Sequence, residues 1–154
     1  MITAPEHDSS FCAVEMARSQ CLELLGGAQI ARVVLSIKCM PVALPVNASL
    51  LGEDVIFSTD RGSKLTAAVE GQVVSVEADD IDLMYRTGWS VLVTGRAEPV
   101  EVGDRATLMR LGIEPWAGGY RDVFVRIDID EITGRAIHQG RRSAFESYSP
   151  PGGS

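Results

Sequence analysis

The stretch Phe57-Ser58-Thr59-Asp60-Arg61-Gly62-Ser63-Lys64-Leu65 sets two cations among several hydroxyl and amide donors, at the point where a strand gives way to a helix. Such a combination can seat a phosphate. Val55-Ile56-Phe57 reads as the end of a β-strand, and Lys64 to Glu70 reads as a short helix with Ser63 at its N-cap and Gly71 at its stop. Unpaired N–H groups at a helix start favour an anion, to which Thr59, Arg61, Ser63 and Lys64 can add charge-assisted hydrogen bonds. Taken alone, the pattern equally describes an ordinary Ser-capped helix with a solvated first turn.

Other chemistry is sparse. His7 and His138 are the only two histidines and both lie near chain ends, which argues against a His-based metal site or a Ser-His-Asp triad. Cys12, Cys21 and Cys39 share no metal-ligand spacing and read as reduced thiols, with Cys21 on a buried helix face. Asp79, Asp80 and Asp82 lack the glycine hinge and closing glutamate of a calcium loop, so they read as a solvated turn. No metal and no protein catalytic residue is assigned.

The elements that must position the phosphate loop follow from apolar spacing. Val14, Ala17, Cys21, Leu22, Leu24 and Leu25 recur at helical intervals before Gly26-Gly27, which predicts an opening amphipathic helix. Residues 28–37 and 42–51 read as strands joined by Lys38-Cys39-Met40-Pro41, and a third strand covers Val55 to Thr59. After the loop and its helix, Gln72 to Glu77 alternates as a strand that ends in the acidic segment 78–82. Trp89 to Val102 is the longest candidate, with Val91, Val93, Gly95 and Ala97 on one face; Gly95 marks a bulge or a close backbone approach. Asp104 to Leu111 reads as a short helix, Trp116 as a surface-loop anchor, and Asp122 to Asp130 as the last strand, with Val123, Val125, Ile127 and Ile129 on one face. Strands in meander connections with short helices at the corners describe a mainly β protein, a small antiparallel barrel.

A chain of 154 residues with 45% hydrophobic content suffices for one domain with a substantial core. It is expected over residues 13–137, with 1–12 and 138–154 as flexible termini. A net charge of −7 argues against nucleic acid, whose binding rests on Lys and Arg neutralising phosphates. No apolar run approaches the roughly 18 residues of a membrane span, and the polar, acidic start MITAPEHDSS is unlike a signal peptide, so a cytoplasmic protein is expected. The valine faces at 91, 93, 123 and 125 look too extensive for one subunit to cover, which predicts a symmetric dimer.

The order of segments adds a resemblance. Leu44-Pro45-Val46-Asn47, then Phe57 to Leu65, then Thr87-Gly88-Trp89-Ser90-Val91-Leu92-Val93-Thr94-Gly95-Arg96-Ala97, then Val125-Arg126-Ile127 and Ile132-Thr133-Gly134-Arg135, resembles the pyridoxamine 5'-phosphate oxidase-like flavin-binding split β-barrels of small actinobacterial type. The resemblance implies a Greek-key-like split antiparallel β-barrel, a homodimer with two FMN sites at its interface, and FMN-dependent oxidoreduction of a small organic substrate. It implies that Thr59, Arg61, Ser63 and Lys64 hold the FMN phosphate, that Pro45, Val46 and Asn47 lie along the isoalloxazine, and that Trp89 and Ser90 reach the cofactor from the other subunit. For Trp89 the alternative is core or dimer packing, and for Asn47 the satisfaction of a sheet edge. Ala48 stands where such proteins often carry an aromatic residue. Val125-Arg126-Ile127-Asp128 has no histidine where genuine pyridoxamine phosphate oxidases carry an Arg-x-His element, so vitamin B6 oxidation is not expected. The alternatives are a deazaflavin-dependent reductase, which the acidic balance disfavours, and a non-catalytic flavin- or haem-binding module, for which His138 is the one axial-ligand candidate.

Overall fold

The computed structural model describes residues 11–60, 64–100, 106, 110 and 122–139. Valine, isoleucine and alternating apolar positions dominate them, and seven strands and two short helices are delimited among the described residues. In chain order these are β1 (Phe11–Glu15), α1 (Arg18–Gly27), β2 (Ile30–Ile37), β3 (Met40–Leu51), β4 (Asp54–Asp60), α2 (Lys64–Val69), β5 (Val73–Asp82), β6 (Thr87–Pro99) and β7 (Asp122–Gln139). All pairings are antiparallel, in the order β1-β7-β4-β3-β2-β5-β6, and β6 returns to pair with β7. That return closes β7-β4-β3-β2-β5-β6 into a barrel and leaves β1 as an added strand along the end of β7. The expected split antiparallel barrel is therefore the observed fold.

Side-chain alternation sets the two faces of the wall. Val33, Val55, Phe57, Val76, Val91, Val93 and Ile127 are fully buried inside, and each such side chain contributes about 1.5–3 kcal/mol by leaving water. Ile56 and Phe124, on the other face of β4 and β7, form a second small cluster with Leu51 and Val100. Val91, Val93 and Val125 thus lie in the interior of a single chain, which corrects the expectation that their faces need a second subunit to cover them.

Several boundaries differ from the sequence reading. Val14 belongs to β1 rather than to the helix, because Val14 pairs with Ala136 across the β1–β7 ladder. The helix starts only at Arg18: Ala17 offers no side-chain cap, and the Gln20 side-chain oxygen accepts the Ala17 N–H at 3.0 Å instead. The β2–β3 link is shorter than expected, with Lys38 and Cys39 in the left-handed region (φ 51° and 63°), as a two-residue hairpin turn requires. The acidic segment 78–82 is strand and not loop, since the β5–β6 ladder runs out to Asp82↔Thr87. Phe11, Cys12, His138 and Gln139 are likewise in strands, beyond the expected domain limits. The expected helix at 104–111 and the Trp116 loop lie outside the described residues, apart from Ala106 and Arg110, both helical.

β7 continues well past Asp130, and a bulge is the reason it was hard to see. Thr94 pairs with Glu131 but Gly95 pairs with Ile129, so Asp130 is an extra residue on β7. Its buried positions shift phase there, from Val125 and Ile127 to Gly134 and Ala136. Gly95 is needed at this point because a Cβ would collide with the Asp128 carbonyl oxygen. Both readings of Gly95, bulge and close approach, hold.

Candidate functional site

The first group of candidate residues gathers where β3 changes partner. Up to Asn47 it is paired with β2 (Arg32↔Pro45, Ala31↔Val46, Ile30↔Asn47), and from Ala48↔Phe57 onward it is paired with β4. Ser58, Thr59 and Asp60 run on past that last β3–β4 pair while still held by β7 on their other side. The wall therefore forks between Asn47 and the end of β4. Alternation puts Pro45 and Asn47 on the outer face, whereas Val46 and Ala48 turn into the core. Thr59 is half-buried at the strand end.

Residues 61–63 carry the chain from this fork to α2, which is seated in the core by Leu65 and Val69. Arg61 and Ser63 fall outside the described residues, as does the side chain of Lys64. The described flanks are held by the β4–β7 ladder on one side and by the packing of α2 on the other.

The second group sits on β6. Trp89 pairs with Ala136 and packs on the core, while Ser90 pairs with Arg135 and faces outward. Adjacent in sequence, they point to opposite sides of the wall. The register also lays out the outer face in rows: Pro45, Arg32, Glu77, Leu92 and Thr133 stand side by side across five strands. Pro45 and Asn47 are thus separated from the Ser90 strand by β2 and β5, three strand spacings or about 14 Å. Within one chain the described members of the expected site form two groups and not one. Arg32 fills the space between them, with Nη1 3.2 Å from Glu77 Oε2 and 3.5 Å from Asp79 Oδ1.

Around Ser90 opens a cleft of about 470 Å³. Met16, Leu92 and Ile132 supply apolar walls, and Glu15, Ser90, Thr133 and Arg135 supply polar groups. Gly134 lets the β1–α1 junction close one side, because a Cβ there would lie 2.5 Å from Cys21 Sγ and 2.7 Å from Met16 Cε. Burial at this junction pushes the Cys21 thiol above its ordinary pKa. Sequence reasoning missed Glu15, Thr133 and Arg135. Their signal was the Ile132–Arg135 segment, which stands directly opposite Ser90 to Val93 rather than beyond the last strand.

Among the described residues no cluster of His, Cys, Asp and Glu could hold a metal ion, and no helix is long and apolar enough to cross a membrane. His138, half-buried near the end of β7, stands opposite Cys12.

Comparison with known proteins adds to this geometry. The chain is 35% identical over 129 residues to the uncharacterized protein Rv0080 of Mycobacterium tuberculosis, covering 80% of this chain and 85% of that one. A solved structure of a FAD-binding protein from Mycobacterium smegmatis is 31% identical, with a TM-score of 0.70 over 80% of this chain and 98% of that chain. A FAD-binding protein from Mesorhizobium loti shares the fold at 20% identity, with a TM-score of 0.68 over 80% of this chain and 97% of that one. A family profile described as pyridoxamine 5'-phosphate oxidase matches residues 17–136, nearly the whole barrel, and the chain belongs to that family.

Proposed function

We propose that this protein binds a flavin nucleotide as a homodimer and uses it for oxidoreduction of a small organic substrate. The observation that carries the flavin is the 31% likeness to a FAD-binding protein, which this chain matches over almost its full length. The donor set fits a phosphorylated cofactor: Thr59 at the fork, with Arg61, Ser63 and Lys64 following, offers two cations and two hydroxyls to a phosphate. Pro45, Val46 and Asn47 form the adjoining edge, Pro45 and Asn47 through outward side chains and Val46 through its backbone. The separation of Ser90 and Trp89 from this edge within one chain supports their delivery by a second subunit.

Bound flavin supplies hydride or electron transfer, so the chain needs no nucleophile or metal of its own. Its residues bind and orient the ring, and the loop cations offset the phosphate charge. FMN is the leading cofactor on the phosphate loop, and the likeness to the FAD-binding protein of M. smegmatis supports FAD as the second reading. A deazaflavin with a longer acidic tail fits a chain of net charge −7 less well. Pyridoxamine phosphate is not the expected substrate, since Val125-Arg126-Ile127-Asp128 lacks the histidine of an Arg-x-His grip. The test is to load purified protein with FMN or FAD, pass it through gel filtration and record its visible spectrum. Co-eluting flavin absorbance is expected; a colourless protein peak with both cofactors would overturn the reading.

A further inference from the structure

The β5–β6 hairpin leaves a large apolar surface uncovered. Leu83, Met84 and Tyr85 at its tip are 86%, 83% and 64% exposed, and Ile81 beside them is 53% exposed. Among the described residues, the other two hairpin turns carry Lys38-Cys39 and Gly52-Glu53 instead. This tip is a built projection. Its ladder is continuous to Asp82↔Thr87, Asp82 Oδ1 accepts the N–H groups of Met84 and Tyr85 at 2.9 and 3.0 Å, and Arg86 closes the turn at φ 53°. Contiguous apolar side chains held out from the surface on a hydrogen-bonded turn mark an interaction site.

The Ser90 cleft offers a complementary surface. Its walls of Met16, Leu92 and Ile132 match the tip in apolar character, and Leu92 is 42% exposed in the single chain. Arg135 at its rim makes no ion pair among the described residues, although Glu15 is its cross-strand neighbour. Asp80, near the tip, is an exposed carboxylate that likewise makes no ion pair among the described residues. The tip leads directly into β6, along which Ser90 and Leu92 of the cleft follow about 10 and 17 Å from Thr87. A two-fold axis between them would place each tip on the other copy's cleft, the reciprocal geometry of an isologous dimer.

We infer that the β5–β6 hairpin is a docking arm received by a second copy of this chain: Leu83, Met84 and Tyr85 of one protomer pack against Met16, Leu92 and Ile132 of the other, and Asp80 faces Arg135 across the contact. The arm of each protomer then lies beside Ser90 of its partner. The inference rests on the homodimer proposed above and not on the flavin.

The test uses flavin-free full-length chain in a Cys12→Ser, Cys39→Ser background. Met84→Cys protein is mixed with Thr133→Cys protein under mild oxidation, and light scattering is run on wild-type protein and on Leu83→Asp/Met84→Asp. The expected results are a disulfide-linked heterodimer in the mixture alone, and a dimer dissociation constant raised at least about 100-fold by the tip aspartates. Those aspartates replace exposed side chains, so the melting temperature of the isolated subunit should hold. A dimer that gives no cross-link and ignores the tip aspartates would overturn the arm and leave the dimer standing. A wild-type monomer at every concentration would overturn both. Cleft occupation by residues 140–154 or by a small molecule would also abolish the cross-link and overturn the arm.

Discussion

The two faces of β6 make different demands on one strand. Val91, Val93 and Ala97 are fully buried, whereas Ser90, Leu92 and Arg96 look outward and are exposed. From Val91 to Ala97 the inner face is small and apolar because six strands must close over it. The outer face is mixed: Leu92 beside Glu77 and Thr133, Ser90 beside Asp79 and Arg135, and a Ser75–Thr94 hydroxyl contact of 2.8 Å. The inner residues therefore account for the fold, and the outer ones are free to carry recognition. The contrast also explains why the valines of β6 and β7 were a poor argument for a dimer: they are the core of one subunit.

Breaking the inner face should have the largest effect. Ile127→Ala is expected to cost about 2–5 kcal/mol in denaturant unfolding, through lost burial plus a cavity. Leu92→Ser, one strand away on the outer face, should change the isolated subunit's stability by no more than about 0.5 kcal/mol. Comparable losses from the two would erase the distinction between the faces.

Gly95→Ala sharpens the same comparison at the bulge. The new methyl meets the Asp128 backbone oxygen and not a yielding side chain, so a loss of about 1–3 kcal/mol is expected in the same unfolding measurement. An unchanged midpoint would mean that the close approach does not exist. Arg32→Ala on the outer face should cost less, about 0.2–1 kcal/mol, because its ion pairs with Glu77 and Asp79 are partly exposed.

The smallest effect concerns the thiols. Exposed Cys39 should be alkylated rapidly in native protein while Cys21 reacts only on unfolding, as mass-resolved labelling can show. Burial holds Cys21 protonated, raising its folded pKa, so its contribution to stability is intact below the ordinary thiol pKa near 8.5 and is lost as pH rises above it. Cys21→Ala should flatten that alkaline slope; an identical slope in the variant would assign it elsewhere.

Much of the barrel is legible in the sequence, because the inward series Val91, Val93, Gly95, Ala97 and Val123, Val125, Ile127 recurs at every second residue, a local signal. What escaped was set by pairing. β7 looked finished at Asp130 because the bulge inverts the phase of its buried positions. The aspartates at 79–82 looked like a turn because nothing in the residues themselves reveals that β6 continues to pair with them. Val14 fits a helical period by coincidence and is claimed by β7. At the site, Pro45, Val46 and Asn47 are expected along one cofactor edge, whereas the pleat of β3 turns the Val46 side chain into the core. The isolation of Ser90 from them, and the cleft beside Arg135, depend on strand order and could not be read from spacing.

Flavin recognition through the phosphate is the central claim, and it is tested most directly by titrating flavin-free protein with FMN and with riboflavin, for wild type and for Lys64→Ala. The account predicts that FMN binds, that riboflavin binds at least about 10-fold more weakly, and that Lys64→Ala lowers FMN affinity by about 10–100-fold, the equivalent of one charge-assisted hydrogen bond. Equal affinity for FMN and riboflavin, with no change in the variant, would contradict it.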